Sequence, residues 1–536
     1  MRVLISEKIA EEGIEIINKT AQADAKYGLT REQLLEIIPE YDAIIVRSAT
    51  QVDAELIEKG VNLKVIGRAG TGVDNVDVNT ATKKGVMVVN TPEGNSNAAA
   101  ELAIGMIFAA CRHIPQAYMS CKNGDFRRSK FKGVELEGKT LGVVGLGRIG
   151  SIVATRLKAF NMKVLAFDPY IPEERCQKLG VQRCEMLDEL LTLSDIVTLH
   201  MPKIEGSLNL IGEKQIEIMK RDAIIINCAR GGLIDEKALY NALKEGRLGA
   251  AGLDVLEDEP NFEAKPGEQE FKNLLLELEN VIFTPHLGAS TLEAQYNVGV
   301  MVAQQISAVL QGDIVSAVNL PSLRIKDMKE IRPYIELAEK MGKIYFQAEK
   351  TPVEKIELFY SGEIAQMETK IVTLAFLKGF LEPIISDDEQ VNFVNVEMIA
   401  NSRGIKVIES KSNTSERFTS LVTANIINKE KVLSLSGTVF GNEEIRLIDF
   451  FGYHVDFEPT TPFALAIQNI DKPGMIGRLG TILGEESVNI ASMRLSRNKK
   501  GEKAEAFLGI DNEVDERILD RIRDVDGILK ASLIRF

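Results

Sequence analysis

Short apolar segments alternate with helical ones through the first half of the chain. Near the N-terminus, segments rich in Val and Ile are separated by amphipathic stretches such as residues 31–38. This alternation is typical of a parallel α/β sheet. From about residue 140 the apolar segments become nearly continuous runs of Val, Ile and Leu, which predicts strands buried on both faces. The predicted strands are residues 2–5, 43–46, 65–67 and 87–90, then "KTLGVVG", "MKVLAFD", "DIVTLH", "AIIINCA", "AAGLDV" and "NVIFTP".

Two later segments show a different pattern. After about residue 317 the alternation loosens, so we place a domain boundary there. The segment from residue 463 to the end reads as strand, helix, two strands, helix and strand, and this βαββαβ order predicts a ferredoxin-like domain. The longest apolar segment, residues 98–111, carries Glu101 and is too short to cross a bilayer. We therefore predict a buried helix over residues 97–114.

Composition excludes several classes of function. The chain has 536 residues, of which 45% are apolar and 26% charged, so it is an ordinary globular sequence. A net charge of −14 argues against nucleic acid or an anionic membrane as the main partner. The N-terminus lacks the features of a signal peptide, and the five cysteines include no CxxC pair. We therefore expect a cytoplasmic protein without a metal site.

A glycine-rich segment predicts a dinucleotide site. In "TLGVVGLGRIGSIVATRLKAFNMKVLAFDPY", Gly145, Gly147 and Gly150 follow a predicted strand and open a helix. Gly145 allows the tight turn, Gly147 lets the backbone approach a pyrophosphate, and Gly150 allows close packing of helix on strand. The next strand ends in Asp168, which can accept hydrogen bonds from ribose hydroxyls and repels a 2′-phosphate. The segment therefore predicts a Rossmann-type domain that binds NAD.

Three polar residues each follow a later predicted strand. They are Arg230 in "NCARGGLIDEKAL", Glu259 in "GLDVLEDEP" and His286 in "TPHLGAST". Ligands bind at the C-terminal ends of strands in open parallel sheets. An arginine can fork the carboxylate of a 2-hydroxy acid, a histidine can move its hydroxyl proton, and a carboxylate can fix the histidine tautomer. The three residues favour hydride transfer, although His286 taken alone could equally be a structural residue in a loop.

The order of these motifs resembles one family. GLGRIG, ARGG, DVxxxEP and PHxGAST follow one another as in the D-isomer-specific 2-hydroxyacid dehydrogenases. The segment "VIGRAGTGVDNVDVNTATKKGVMVVNTPEGNSNAAAELAIGM" resembles the long members, which oxidise 3-phospho-D-glycerate to 3-phosphohydroxypyruvate at the start of L-serine synthesis. The resemblance extends over essentially the whole chain. It implies an NAD-dependent enzyme in which Arg230, Glu259 and His286 are the catalytic residues.

The resemblance also implies the residues that contact cofactor and substrate. Those expected to contact NAD are Gly145, Gly147, Arg148, Ile149, Gly150, Asp168, Cys228, Ala229, Arg230, Asp254, His286, Gly288 and Ala289. Those expected to contact the substrate are Arg47, Ser48, Arg68, Gly70, Gly72, Asn95, Arg128, Arg230 and His286. Arg128 matches a basic residue that reaches across from a neighbouring subunit in this family. Cationic side chains suit a phosphate group with nearly two negative charges.

The family's domain organisation can be traced along the chain. Residues 1–97 and 288–317 are expected to form a discontinuous, flavodoxin-like substrate domain, with the NAD domain, residues 98–287, inserted between them. An α+β intervening domain is expected over residues 318–458, and an ACT regulatory domain over residues 462–536. The helix at residues 98–111 is apolar nearly all round, which predicts that one of its faces packs on another subunit. We expect a homo-oligomer, namely a homotetramer.

The ACT resemblance implies an amino-acid effector. In "QNIDKPGMIG" and "SVNIASM", Asn469, Asp471 and Asn489 match the family positions that bind an amino acid between paired domains. Asp471 can pair with an ammonium group, and the two amides can bridge a carboxylate and a hydroxyl. We expect L-serine as the effector. The alternative is an ACT domain used only for assembly.

Two other functions remain open from the sequence. One is a different 2-hydroxyacid dehydrogenase, such as a glycerate or hydroxypyruvate reductase, although the ACT domain argues against it. The other is a non-catalytic, dinucleotide-sensing protein on the same fold. A panel of 2-hydroxy acids as substrates distinguishes the first alternative from oxidation of 3-phospho-D-glycerate. Turnover of any 2-hydroxy acid excludes the second alternative.

Overall fold

A parallel five-stranded sheet is built from the N-terminal part of the chain. The computed structural model describes residues 1–260, 264–265, 267–321, 325–349, 351–385, 390–429, 431–441 and 443–536. The first elements are β1 (Arg2–Ile5), α1 (Glu11–Asn18), β2 (Gln22–Ala25), α2 (Arg31–Ile37), β3 (Ala43–Val46), α3 (Ala54–Lys59), β4 (Val65–Arg68), α4 (Val78–Lys84) and β5 (Met87–Asn90). The strands pair in the order β2-β1-β3-β4-β5, all parallel. This is the flavodoxin-like order that the sequence predicts.

Two helices lead from the first sheet to the second. Helix α5 (Ser96–Arg112) ends earlier than the predicted residue 114, because His113 adopts a left-handed conformation with φ of 52° and Pro115 follows. Helix α6 (Ile114–Lys122) then continues in a new direction, bent by 63°. Most of the apolar side chains of α5 pack in the core of the same chain. This packing accounts for the high apolar content of the helix. Leu102, Ile104 and Phe108 stay only partly buried, and the contact of α5 with another subunit stays a prediction.

The second sheet has seven parallel strands. Its elements are β6 (Thr140–Val144), α7 (Arg148–Lys158), β7 (Lys163–Phe167), α8 (Glu173–Leu179), β8 (Gln182–Arg183), α9 (Leu187–Leu193), β9 (Ile196–Leu199), α10 (Glu213–Ile218), β10 (Ile224–Asn227), α11 (Glu236–Lys244), β11 (Ala250–Leu253) and β12 (Val281–Phe283). The strand order is β12-β11-β10-β9-β6-β7-β8, which contains the Rossmann order. Strands β9, β10 and β11 are buried throughout, as their continuous apolar runs predict.

Helix α12 (Leu292–Leu310) returns the chain from the second sheet to the first. A Cβ atom on Gly67 of β4 would lie 2.7 Å from the Cγ2 atom of Val302, so the helix packs directly on the first sheet. On its other side, a Cβ atom on Gly13 of α1 would lie 2.8 Å from the carbonyl oxygen of Gly299. The glycines thus let α1 and α12 touch along their backbones. The exact domain boundaries stay a prediction.

The third sheet is mixed and has six strands. Its elements are α13 (Ile325–Glu349), β13 (Lys355–Gly362), α14 (Lys370–Leu381), α15 (Val396–Ser402), β14 (Lys406–Ser412), β15 (Ser420–Ile427), β16 (Val432–Phe440), β17 (Glu444–Phe450) and β18 (Tyr453–Phe457). The order is β14-β13-β15-β16-β17-β18, in which only β13 and β14 run parallel. Helices α13 and α14 cover one of its faces, and the apolar core extends to Ala464, Ala466, Phe507 and Ile534 of the C-terminal segment.

The C-terminal segment folds as the predicted βαββαβ unit. Its elements are β19 (Phe463–Ile470), α16 (Met475–Glu485), β20 (Ile490–Arg497), β21 (Lys503–Ile510), α17 (Glu516–Arg523) and β22 (Ile528–Arg535). The antiparallel order β20-β21-β19-β22 is the ferredoxin-like arrangement. The fold class predicted from the sequence is therefore confirmed for all four sheets.

No single helix in the described part of the chain is long and apolar enough to cross a membrane. Only the bent pair α5 and α6 reaches the required length and composition when taken together.

Candidate active site

The glycine-rich loop joins β6 to α7 at the C-terminal edge of the seven-stranded sheet. Gly145 has a φ of 91°, a left-handed conformation that favours glycine. A Cβ atom on Gly150 would lie 2.1 Å from the carbonyl oxygen of Gly145, so only glycine lets α7 begin this close to the loop. A Cβ atom on Gly147 would meet no atom within 4 Å, and Gly147 provides no side-chain cap for α7. The loop therefore offers open space beside uncapped backbone N–H groups.

These features fit the phosphates and the ribose of a dinucleotide. The N-terminus of a helix attracts anions through its unpaired N–H groups and its dipole. At the end of β7, Asp168 accepts one hydrogen bond from the backbone N–H of Leu146 and one from that of Tyr170, each 2.9 Å long. These bonds fix the Asp168 carboxylate beside the loop, where ribose hydroxyls can donate to it.

His200 borders the same loop at the end of β9. A Cβ atom on Gly145 would lie 2.6 Å from the His200 carbonyl oxygen. Burial lowers the pKa of the His200 imidazole to about 4, and its Nε2 atom lies 3.0 Å from the Thr198 hydroxyl. The imidazole is therefore neutral at physiological pH and is a poor candidate for the catalytic base.

Arg230, Glu259 and His286 follow three neighbouring parallel strands, β10, β11 and β12. The sheet therefore brings them to one edge. The Nδ1 atom of His286 lies 3.1 Å from each carboxylate oxygen of Glu259. The backbone N–H of His286 donates to the carbonyl oxygens of Asp254 and Thr284, and its φ of 54° turns the chain sharply there. A carboxylate-supported imidazole thus stands at the sheet edge that the sequence predicts.

Asp254 holds the loop that carries His286. Its carboxylate is almost fully buried and accepts hydrogen bonds from the Thr284 hydroxyl at 2.5 Å, the Leu287 N–H at 2.7 Å and the Gly288 N–H at 3.0 Å. Burial raises the pKa of this carboxyl, and the donors act in the opposite direction. The sequence places Asp254 among the NAD contacts. In this structure its hydrogen bonds fix the position of the segment that follows β12.

The Arg230 side chain reaches across to the first sheet's loops. Its Nε donates to the Asp74 carboxylate at 2.9 Å, and its Nη1 donates to the Ala229 carbonyl oxygen at 2.7 Å. The Asn227 side-chain amide donates to the Arg230 carbonyl oxygen at 2.8 Å and so fixes the backbone. A Cβ atom on Gly72 would lie 1.9 Å from Nη2 of Arg230. Asp74 was not foreseen from the sequence, because no local pattern marks a partner 156 residues away.

A cationic cluster surrounds this position. Burial, and then the positive charges of Arg230 and Arg47, lower the pKa of the Arg68 guanidinium to about 10. The Nε atom of Arg68 is buried, and none of the residues that the structure describes gives it a hydrogen-bond partner. A Cβ atom on Gly70 would lie 1.6 Å from Nη1 of Arg68, so glycine is required for the guanidinium to rest on this loop. Three arginines close enough to oppose one another form a site for an anion of more than one charge.

The other predicted substrate residues differ in their burial and in their contacts. Asn95 is buried, and its side-chain oxygen accepts a hydrogen bond from the Thr71 hydroxyl at 2.6 Å. Ser48 is exposed beside Arg47. Arg128 is exposed after α6, and no hydrogen bond or ion pair joins it to the cluster within the part of the chain that the structure describes. A role for Arg128 within one subunit therefore has no support here.

The remaining predicted NAD residues line the same sheet edge. Arg148 and Ile149 are the first residues of α7, with Ile149 packed on the core. Ala229 donates its backbone N–H to the Asn227 side chain at 3.0 Å, directly after Cys228. Ala289 follows the buried Gly288, and its carbonyl oxygen accepts a hydrogen bond at 3.1 Å from Gln295.

The three predicted effector residues do not meet within one chain. Asn469 pairs with Ala504 at one end of the four-stranded sheet, whereas Asn489 precedes the residue that pairs with Ile510 at the other end. Asn469 is buried, and its side-chain oxygen has no hydrogen-bond partner among the described residues. Arg497 donates to the Asp471 carboxylate at 2.7 Å and lowers its pKa. A site that uses Asn469 and Asn489 together needs two chains.

Three family profiles match the chain. The profile described as "D-isomer specific 2-hydroxyacid dehydrogenase, NAD binding domain" matches residues 104–288. The "D-3-phosphoglycerate dehydrogenase intervening domain" matches residues 330–451, and the "ACT domain" matches residues 464–527. The three matches fall on the seven-stranded, six-stranded and four-stranded sheets respectively.

Relatives cover the whole chain. The D-3-phosphoglycerate dehydrogenase of Methanocaldococcus jannaschii is 43% identical over 535 residues, which are 100% of this chain and 99% of that protein. That of Bacillus subtilis is 39% identical over 543 residues, 99% of each chain. Among solved structures, D-lactate dehydrogenase from Aquifex aeolicus, complexed with NAD and lactic acid, has a TM-score of 0.52 and 29% identity, covering 58% of this chain and 96% of that one. The chain belongs to the D-isomer specific 2-hydroxyacid dehydrogenase family and, within it, to the long D-3-phosphoglycerate dehydrogenases with an intervening domain and an ACT domain.

Proposed function

We propose that the chain oxidises 3-phospho-D-glycerate to 3-phosphohydroxypyruvate with NAD, the first step of L-serine synthesis from 3-phosphoglycerate. The observation that carries this proposal is the meeting of Arg230, the His286–Glu259 pair and the glycine-rich loop at one edge of one sheet. The cluster of Arg47 and Arg68 stands next to them. Relatives of full length bear the name of this activity.

The chain's own residues supply the binding and the proton transfer. Arg230 orients the substrate by forking its carboxylate, since a guanidinium binds a planar anion through two parallel hydrogen bonds. His286 accepts the proton of the C2 hydroxyl at Nε2, because Glu259 holds the Nδ1 side of the ring. Glu259 also stabilises the imidazolium that results. NAD held at the glycine-rich loop and Asp168 would supply the acceptor for the hydride of C2.

The phosphate is the feature that the arginine cluster recognises. A phosphate monoester carries nearly two negative charges and three acceptor oxygens. Arg68 has an unpaired, buried Nε, and Arg47 lies close enough to lower the pKa of Arg68. A dianion placed there relieves the repulsion among the three cations. Arg128 of a neighbouring subunit joins the same phosphate in this proposal.

The test is NADH formation from a panel of substrates. We expect turnover of 3-phospho-D-glycerate, with kcat/KM at least about 100-fold above that for D-glycerate or D-lactate, because charge-assisted contacts to the phosphate are lost with those acids. Arg68→Gln should reduce this preference, whereas Arg183→Gln, on a distant edge strand, should keep it. Equal rates with D-glycerate would overturn the choice of substrate, and no turnover at all would overturn the catalytic assignment.

For regulation, the proposal is that L-serine binds between the ACT domains of two subunits, at Asn469, Asp471 and Asn489. The unpaired buried oxygen of Asn469 and the position of Asn489 at the far end of the sheet support it. Calorimetry with L-serine should give binding to the wild type and at least about tenfold weaker binding to Asp471→Ala and Asn489→Ala. Asn512→Ala, in the exposed turn after β21, is the control. Equal affinity in all four proteins would reject the site.

We further propose that the chain forms a homotetramer. We also propose that the protein is cytoplasmic. Helix α6 and the loop after it expose Ile114, Tyr118, Met119 and Phe126, each at least about half exposed. Exposed apolar side chains that lie together mark contact surfaces. Light scattering should show an assembly of the full chain, and Tyr118→Asp with Met119→Asp should reduce its mass. An unchanged mass would exclude this surface as the contact.

A further inference from the structure

A cavity of about 190 Å³ lies between the six-stranded and the four-stranded sheets, away from the active site. The residues at its walls come from the end of α13, from β16 and β17, and from β19, β21 and β22. Helices α16 and α17 cover the opposite face of the four-stranded sheet. The cavity therefore belongs to the face on which the ACT unit rests against the intervening unit.

The register of the four-stranded sheet places three polar side chains in one row at this cavity. Gln468 of β19 pairs with Glu505 of β21 on one side and with Lys530 of β22 on the other. In the next row, Ala466 pairs with Phe507 and with Ser532. The small side chains of Ala466 and Ser532 leave the space that forms the cavity.

The two carboxylates in the cavity differ in the hydrogen bonds that they accept. Glu349 accepts hydrogen bonds from Lys431 at 2.6 Å and from Lys530 at 2.8 Å. Glu505 is only 3% exposed, and within the part of the chain that the structure describes its carboxylate accepts one hydrogen bond, from the Gln468 amide at 3.4 Å. Burial raises the pKa of the Glu505 carboxyl to about 7. A buried carboxylate normally has close donors, so Glu505 lacks the partner that its position requires.

The arrangement of these charges defines what can bind. Lys431 and Lys530 share one carboxylate and remain about two-fifths exposed, so the open end of the cavity carries one net positive charge. The inner end carries the Glu505 carboxylate without a cation in hydrogen-bond contact. Phe450 and Phe451 supply an apolar wall. A cation inside, an anion at the opening and a small apolar body between them complement this pattern.

We propose that this cavity binds a small zwitterionic amino acid, with its ammonium group at Glu505 and its carboxylate at Lys431 and Lys530. The volume is below the range of about 300–1,000 Å³ typical of sites for larger ligands. The site lies within one chain and shares no residue with Asn469, Asp471 and Asn489, so it does not depend on the proposed L-serine site. Because its walls belong to two sheets, an occupant ties the ACT unit to the intervening unit.

Calorimetry on the full chain tests the proposal with glycine, L-alanine and L-serine as separate probes. We expect at least one of them to bind the wild type and to bind Glu505→Gln at least about tenfold more weakly. Glu502→Gln, which changes an exposed glutamate near Glu505, should keep the wild-type affinity for that probe. L-serine is measured in Asp471→Ala, with and without Glu505→Gln, so that the other proposed site does not contribute. No heat from any of the three probes, or equal affinity in Glu505→Gln, would overturn it.

A proton readout separates this site from a cavity that only holds water. An ammonium group needs the ionised Glu505, so binding at pH 7 should release protons, and the observed heat should depend on the ionisation enthalpy of the buffer. The affinity should rise between pH 6 and pH 8. Ala466→Val, which narrows the cavity without changing a charge, should weaken binding while leaving proton release per bound ligand in place. A heat that does not depend on the buffer would contradict the assignment.

Discussion

The Nδ1 atom of His286 lies 3.1 Å from each carboxylate oxygen of Glu259. The two residues are 27 positions apart in the chain and are brought together because β11 and β12 are parallel neighbours whose ends meet at one edge. A carboxylate at Nδ1 keeps the proton on that nitrogen and leaves the other one as the acceptor. In the proposed mechanism, the pair therefore determines which ring nitrogen accepts the substrate proton.

Replacing Glu259 tests this division of roles. We expect Glu259→Gln to lower kcat about 10- to 100-fold, because an amide can hold the ring in either orientation and does not stabilise the imidazolium. The measurement is steady-state NADH formation at saturating NAD. Glu257→Gln, in the same loop, should retain wild-type kcat. A kcat unchanged by Glu259→Gln would remove Glu259 from the mechanism.

Replacing His286 removes the proposed proton acceptor. We expect His286→Asn and His286→Ala to lower kcat at least about 100-fold, since general acid–base catalysis contributes roughly 10²–10⁴-fold. Affinity for NAD, measured by calorimetry, should stay near that of the wild type. His454→Asn is the matched control, because His454 also has a carboxylate nearby, with Nδ1 3.4 Å from Asp449. Full turnover without the His286 imidazole would refute its role.

Asp168 should control the choice between NAD and NADP. Its carboxylate is held beside the glycine-rich loop by the N–H groups of Leu146 and Tyr170. We expect Asp168→Ala to raise the KM for NAD at least about tenfold and to reduce discrimination against NADP, because the repulsion of a 2′-phosphate is lost. Asp188→Ala, on the exposed side of α9, is the control. Wild-type enzyme that prefers NADP would show that Asp168 has been misread.

The sequence predicts the sheets well where strands are apolar and poorly where they are polar. Strands such as β9 and β10 are continuous Val/Ile runs and are buried throughout. Strands β2 ("QADA") and β8 were missed, because both are edge strands with partly exposed, polar side chains. The ends of buried strands also predicted that Arg230, Glu259 and His286 come to one edge of the sheet, where the structure places them. Asp74 and Glu505 could not be found in this way, since their importance depends on distant neighbours that only the packing brings together.

Asp74 should act as a positioning residue for Arg230. It accepts a hydrogen bond from Nε, which leaves the outer nitrogens of the guanidinium to other partners. We expect Asp74→Ala to lower kcat/KM for 3-phospho-D-glycerate roughly tenfold, mainly through KM, because the freed guanidinium loses its fixed orientation. Asp74→Glu should restore part of the loss, and NAD affinity should not change. A merely structural role would instead lower the melting temperature and leave KM unaltered.

Glu505 makes the stability of the ACT–intervening contact depend on pH. Burial raises the pKa of Glu505 from the ordinary 4.5 to about 7, so the folded protein keeps a proton that the unfolded chain releases. Stability from this group is therefore complete below pH 4.5 and is lost as pH rises through 7.

Glu505→Gln removes this dependence, because glutamine is neutral at every pH. Without added amino acid, we expect similar unfolding temperatures for wild type and variant near pH 5, and a more stable variant at pH 8, by at most about 3 kcal/mol. Scanning calorimetry from pH 5 to pH 8 measures the difference, with Glu502→Gln as the exposed control. If the unfolding temperatures of wild type and Glu505→Gln change in parallel over this range, Glu505 is ionised in the folded protein and burial does not raise its pKa.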